Sequence, residues 1–176
     1  VLLVAALFLL PGPGGNLVPE VATFLPEPRT LPEVALVDDR GNAAGLELLR
    51  GGYSLLFFGF TNCPDVCPLT LQLLAQARAA VAEAEPAAKP DVLFVSVDAA
   101  RDTPTRIRAY LDGFDREFRG ATGGDAALEP LLRTLGVTVQ KHEHGGEGYT
   151  VVHSPAVFFV SPEAEWIGVS TAPHDP

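Results

Sequence analysis

The segment SLLFFGFTNCPDVCPLTLQLL (residues 54–74) decides how the rest of the chain is read. It opens with an unbroken apolar run, SLLFFGF (54–60), of strand length, the pattern of a central strand buried on both faces. Its closing leucines, with the alanines and valines that follow, fall at helical spacing and predict a helix stopped near Pro86. Between strand and helix stand Cys63 and Cys67, the only two cysteines of the chain. In open α/β sheets, sites form where the carboxyl end of a strand meets a helix N-terminus. Pro68 lacks an amide hydrogen, a loss that is free only in a helix's first turn, so Cys67 belongs at the helix start. The unpaired amides and the helix dipole at that position favour a thiolate.

Working outward, VALVDDRGNAAGLELL (34–49) reads as two short strands joined by an Asp-Arg-Gly-Asn turn. VLFVSVD (92–98) is a second buried strand, and TPTRIRAYLDGF (103–114) opens a second helix with Thr103 as N-cap and Pro104 at its first position. GGDAALEPLLRTLGV (123–137) predicts a third helix, capped by Asp125 and closed by Gly136. YTVVHSPAVFFVSPEAEWIGVS (149–170) reads as two strands around the turn SPEAEW, an antiparallel hairpin. The order predicts an α/β chain: a thioredoxin-like fold with a mixed central sheet, flanking helices and an added β-hairpin, formed by residues 31–176.

Residues 11–33 are rich in proline and glycine and read as a tether (11–30) plus an irregular entry segment. Before them, VLLVAALFLL (1–10) is apolar all round. Ten helical residues span about 15 Å, roughly half the hydrocarbon thickness of a bilayer. The stretch reads as the remnant of a signal sequence or membrane anchor, which places the domain outside the cytoplasm.

Of the 176 residues, 47% are apolar and 19% charged, a globular composition large enough to bury a core without staples. Twelve basic residues against 22 acidic ones leave a net charge of −10. That balance excludes nucleic acid and anionic headgroups as partners, since both demand basic patches, and suits a basic protein surface or a metal cation.

Two cysteines make neither a disulfide framework nor a closed zinc site, which wants four nitrogen or sulfur ligands. Three residues separate them, where thioredoxin-type oxidoreductases have two. An open site of two sulfurs and one imidazole suits copper, with thiolates favouring Cu(I). Four histidines are available: His142 and His144 in a glycine-rich polar loop, His153 beside an apolar strand, and His174 in the tail. Position alone does not choose among them. A thiol-disulfide oxidoreductase cycling Cys63 and Cys67 is the alternative. A peroxide-reducing thiol enzyme fits less well, because no arginine stands near Cys63 in the sequence.

Three ordered stretches carry a resemblance: TNCPDVCPLTL (61–71), VSVDAARDTPTRIRAYLDGF (95–114) and YTVVHSPAVFFVSPEAEW (149–166). Together they resemble the cysteine motif, the Arg-Asp-Thr helix start and the ligand-histidine segment of the SCO/SenC family. That family comprises thioredoxin-fold copper proteins that serve cytochrome c oxidase assembly. The resemblance implies that Cys63, Cys67 and His153 bind copper, as Cu(I) or Cu(II). It further implies delivery of copper, or reduction of cysteines, at the extracytoplasmic copper-bearing subunit of the oxidase, with other copper chaperones as further partners. The N-terminal stretch, for its part, places the domain on the outer, periplasmic face of a bacterial inner membrane, tethered by residues 11–30. Such a protein is an assembly factor and not an enzyme in the turnover sense. Asp98 matches the family's acidic residue in the second stretch, as an outer support of the site or a plain turn carboxylate. Asp65 fixes the cysteine loop or faces a partner. One departure stands out: the family commonly has an acid just before the histidine, where this chain has Val152.

Overall fold

The structure, a computed structural model, describes residues 22–143 and 149–171. Along the chain run β1 (Ala22–Thr30), β2 (Leu36–Asp38), β3 (Ala43–Ala44), β4 (Ser54–Gly59), α1 (Val66–Ala84), β5 (Asp91–Ser96), α2 (Pro104–Leu111), β6 (Arg119–Thr122), α3 (Asp125–Leu135), β7 (Val139–Glu143), β8 (Tyr149–His153), β9 (Val157–Val160) and β10 (Glu165–Ser170). Eight strands form one sheet in the order β1-β10-β9-β4-β5-β6-β2-β3, while β7 and β8 pair apart from it as a two-stranded ribbon.

The apolar run starting at Ser54 sits where its composition requires. All six residues of β4 are buried. It pairs parallel with β5, Phe57 opposite Phe94, and antiparallel with β9, Phe57 opposite Val157. Phe57, Phe58, Phe94 and Phe118 are among the largest fully buried side chains. The core continues into the helices through Leu71, Ile107, Leu111, Leu128 and Leu131. At α2, the Thr103 hydroxyl accepts from the Arg106 amide at 3.3 Å, the N-cap read from the sequence.

Four expectations need correction. Ala22–Thr30, inside the expected tether, is an edge strand paired with β10, so the sheet begins before residue 31. Pro26 and Pro28 interrupt the register there, which an edge strand tolerates because one side of its ladder is unused. Residues 119–122 form a strand although RGAT has no apolar run, because β5 offers it a parallel partner. Asp125 is the first residue of α3, with Gly124 as N-cap and no side-chain cap bond, while Gly136 closes the helix at φ +70°. The stretch 149–160 is two strands, not one: β8 leaves for β7, and only β9 with β10 makes the expected hairpin around 161–164. The expected anchor remnant at residues 1–10 lies outside the described residues. Among those described, no helix is long and apolar enough to cross a membrane.

Helix α2 rests on β6 at a glycine. A Cβ at Gly120 would meet Ile107 Cγ2 at 2.3 Å and Leu111 Cδ1 at 3.0 Å. Gly120→Ala is therefore expected to destabilise the fold by about 1–3 kcal/mol through overpacking. A urea titration should show a lower midpoint with unchanged slope; an unaltered midpoint would mean that α2 shifts freely and that this packing does not fix it.

Candidate metal centre

Three chain segments converge at one end of β4. The first is the cysteine loop. A Cβ at Gly59, the last residue of β4, would lie 2.7 Å from Phe94 Cε2 and 3.0 Å from Cys67 Sγ, so only glycine lets the returning helix come this close. The chain turns through a Cys63 amide to Phe60 carbonyl bond of 3.2 Å and enters α1 at Val66. Cys67, second residue of the helix, is fully buried, and Cys63 is half-buried. Asp65, the N-cap by position, makes no side-chain cap bond and is exposed. The Cys63 sulfur instead accepts the Cys67 amide at 3.4 Å, taking one of the helix's unpaired first-turn donors.

The second segment follows β5. Asp102, fully buried, accepts from the Thr61 amide at 2.8 Å, the Thr61 hydroxyl at 2.6 Å and the Ser96 hydroxyl at 2.6 Å. Arg106 reaches back to the Thr61 hydroxyl at 2.7 Å and to the Asn62 side-chain oxygen. Asp102 holding Thr61, and Arg106 holding Asn62, thus fix the two residues that lead into Cys63. Sequence reasoning passed over it, although it lies in the quoted Arg-Asp-Thr stretch; the available signal was a carboxylate directly before a helix N-cap. Asp98, also fully buried, accepts from Arg101 Nε and from the Tyr149 hydroxyl. Hydrogen bonding to that carboxylate, then burial, pushes the Tyr149 phenol above its usual range.

The third segment is the junction between β8 and β9. His153 Nδ1 lies 3.0 Å from the Ser154 carbonyl. A carbonyl only accepts, so the ring proton sits on Nδ1 and the Nε2 lone pair is free. Nε2 faces Cys67 Sγ at 3.3 Å. The ring makes T-shaped contacts with Phe60 and Phe57, with centroids 5.9 and 6.1 Å away. Val152 points outward, so a backbone carbonyl orients the imidazole where a side-chain acid is lacking. Burial lowers the His153 pKa and raises that of Cys67 well above the usual thiol range. The helix N-terminus favours a thiolate, but at Cys67 burial outweighs it.

One ligand atom from each of Cys63, Cys67 and His153 falls within 4.8 Å of the others, and no other group of three such residues is found among the described residues. His142 lies exposed on β7, while His144 and His174 are outside the described residues. Three exposed apolar side chains stand next to the ligands in the chain: Val66 at 42% exposure, Leu69 at 56% and Val152 at 55%.

The SCO1/SenC family model matches residues 25–176. This chain belongs to the SCO1/SenC family. A candidate copper-binding protein of Stutzerimonas stutzeri is 34% identical over 150 residues, covering 85% of this chain and 73% of its own. Among solved structures, Arabidopsis thaliana ScoI with copper bound superposes with a TM-score of 0.76 at 31% identity, covering 82% of this chain and 89% of that one. Apo Sco1 from Thermus thermophilus gives 0.71 at 34% identity, covering 86% of each chain. The SCO1/SenC chain described here spans 42% and 50% of two mitochondrial relatives, from Arabidopsis thaliana and Bos taurus. The thioredoxin-like reading of the sheet and helices agrees with these superpositions.

The lowered His153 pKa has a stability consequence. A histidine held neutral by folding adds stability above its unfolded pKa of 6.5, and that contribution is lost as pH falls through the folded value. The metal-free protein should therefore weaken as pH drops below about 6.5. His153→Gln should flatten this part of the profile; superimposable profiles would refute the assignment.

Proposed function

We propose that this chain is a copper-binding assembly factor for cytochrome c oxidase, holding its cargo on Cys63, Cys67 and His153. The observation that carries the reading is the meeting of two sulfurs with an imidazole nitrogen whose proton is held elsewhere. Two thiolates suit Cu(I), and the added imidazole suits Cu(II). A structural zinc ion would want a fourth protein ligand. Family membership supports the same cargo, since a relative of 31% identity has been solved with copper bound.

The target we infer is the extracytoplasmic copper-bearing subunit of the oxidase, which makes the chain a periplasmic protein held at the membrane by its N-terminal segment. Transfer needs ligands that both proteins can reach. Cys63 is half-buried, and the exposed apolar side chains Val66, Leu69 and Val152, near the ligands in the chain, give a partner something to cover. The net charge of −10 would speed encounter with a basic surface at low salt. Asp65, exposed in the same loop, is the charge to test first.

A second reading rests on the free thiols themselves. The two cysteines are close together, the Cys63 sulfur lying 3.4 Å from the Cys67 amide. As a reductant, the pair would pass two electrons and two protons to a partner disulfide, yielding two partner thiols and a Cys63–Cys67 disulfide. Copper and that disulfide use the same sulfurs and exclude each other.

His153→Ala is expected to weaken Cu(II) binding by more than the ~10–100-fold that loss of an outer support brings. Circular dichroism should be unchanged, and Cu(I) should stay bound. Wild-type Cu(II) affinity in this variant would overturn the ligand set and favour the reductant reading.

Mild oxidation of the metal-free chain should consume both thiols and block copper loading until reductant is added. Thiol titration that still finds two free cysteines would exclude the disulfide.

A further inference from the structure

The ribbon carrying His153 lies outside the main sheet, because β8 pairs only with β7. Val151 packs into the core, and Lys141 on β7 meets Asp125 at 2.9 Å, an exposed pair of little weight. Both contacts lie at the middle pair of the ribbon, where Lys141 stands opposite Val151.

A tighter fastening grips the start of β8. Arg101 Nη1 donates to the Tyr149 carbonyl at 3.0 Å, and its guanidinium stacks 3.9 Å from the Tyr149 ring centroid. Asp98 accepts from both residues, so a buried carboxylate, a cation and a phenol form a closed triangle. The turn that holds Asp98 is rigid: its carbonyl accepts the Arg101 and Asp102 amides at 3.0 and 2.9 Å, and its own amide donates to the Ser96 hydroxyl at 3.1 Å. The Arg101 guanidinium also lies 6.0 Å from the Phe60 ring, which makes a T-shaped contact with the His153 ring.

We propose that Tyr149, acting through Asp98 and Arg101, is a positioning residue that holds His153 against the two sulfurs and thereby sets how long the site keeps Cu(II). The proposal rests on the copper reading above. Tyr149 lies four residues before His153, about 13 Å along an extended strand. Freed at that end, the strand can rotate the imidazole away while both cysteines stay fixed by α1 and the Asp102 network. The two sulfurs left behind retain a site suited to Cu(I), but Cu(II) loses its nitrogen ligand. Ligand choice between the two copper states thus depends on a contact that touches none of the three ligands.

Tyr149→Phe tests this in the full chain, since it removes the hydroxyl on Asp98 and keeps the ring on Arg101. Cu(II) dissociation, measured with Cu(II) salt and a competing chelator, should speed up about tenfold, with weakened nitrogen hyperfine coupling in the EPR spectrum. Cu(I) affinity should be unchanged. Without metal, amide hydrogen exchange across 149–153 should quicken while 66–84 keeps its protection. Arg101→Gln, which breaks the other side of the triangle, should give the same pattern. Unchanged Cu(II) dissociation and exchange would overturn the proposal. Equal losses of Cu(I) and Cu(II) would overturn it too, as they would mark general loosening. A wild-type chain that bound no copper would overturn the ligand assignment instead, and the metal-free exchange would still decide the fastening.

Discussion

Everything at the candidate centre depends on the strand pairing around β4. Its partner β5 runs parallel, so the carboxyl ends of both strands, Gly59 and Ser96, lie side by side. Its other partner, β9, runs antiparallel, so the amino end of β9 comes to that same edge. A loop leaving β4, a turn leaving β5 and a junction entering β9 must therefore meet there. These carry the cysteines, the two buried aspartates and the histidine. Burial of β4 on both faces holds the arrangement, because a one-residue slip would drive the wrong side chains into neighbouring layers.

The centre combines a rigid half with a compliant one. Cys67 is embedded in the core, and its loop is held by Asp102, Thr61 and Arg106. The histidine arrives on a ribbon fastened by side chains. Before metal arrives, burial keeps the Cys67 thiol protonated and the imidazole neutral, so no bare charge sits in the apolar pocket of Phe57 and Phe60. A cation bound there would displace the thiol proton and would supply the counter-charge that the resulting thiolate needs. Such a site is quiet when empty and compensated when filled.

How much of this was legible beforehand follows from what leaves a pattern in sequence. The Ser54 strand, the α1 start at the cysteines and the Thr103-Pro104 cap were readable, since each is a local signal with a local cause. The edge strand at Ala22–Thr30 was not: two prolines and an exposed surface are the marks of a tether, and only pairing with β10 makes it a strand. Arg119–Thr122 stayed hidden for the same reason, being a strand by virtue of its neighbours. For the candidate metal ligands, the spacing of Cys63 and Cys67 suggested a site, while His153 became a candidate of weight only through the family resemblance. Asp102 had no apolar periodicity to announce it. The partition of 149–160 failed because Ser154 and Pro155 were read as part of one continuous strand, whereas they are the point where the chain changes sheets.

The hydrogen bond from His153 to the carbonyl of residue 154 has an evolutionary corollary. An orienting carboxylate can be lost by a single base change, but a main-chain oxygen is encoded by every codon. Position 152 is thereby released from the duty of steering the ring and is free to diversify with the surface it faces. The approach to the site at Val152 can therefore change while the His153 Nε2 keeps its aim.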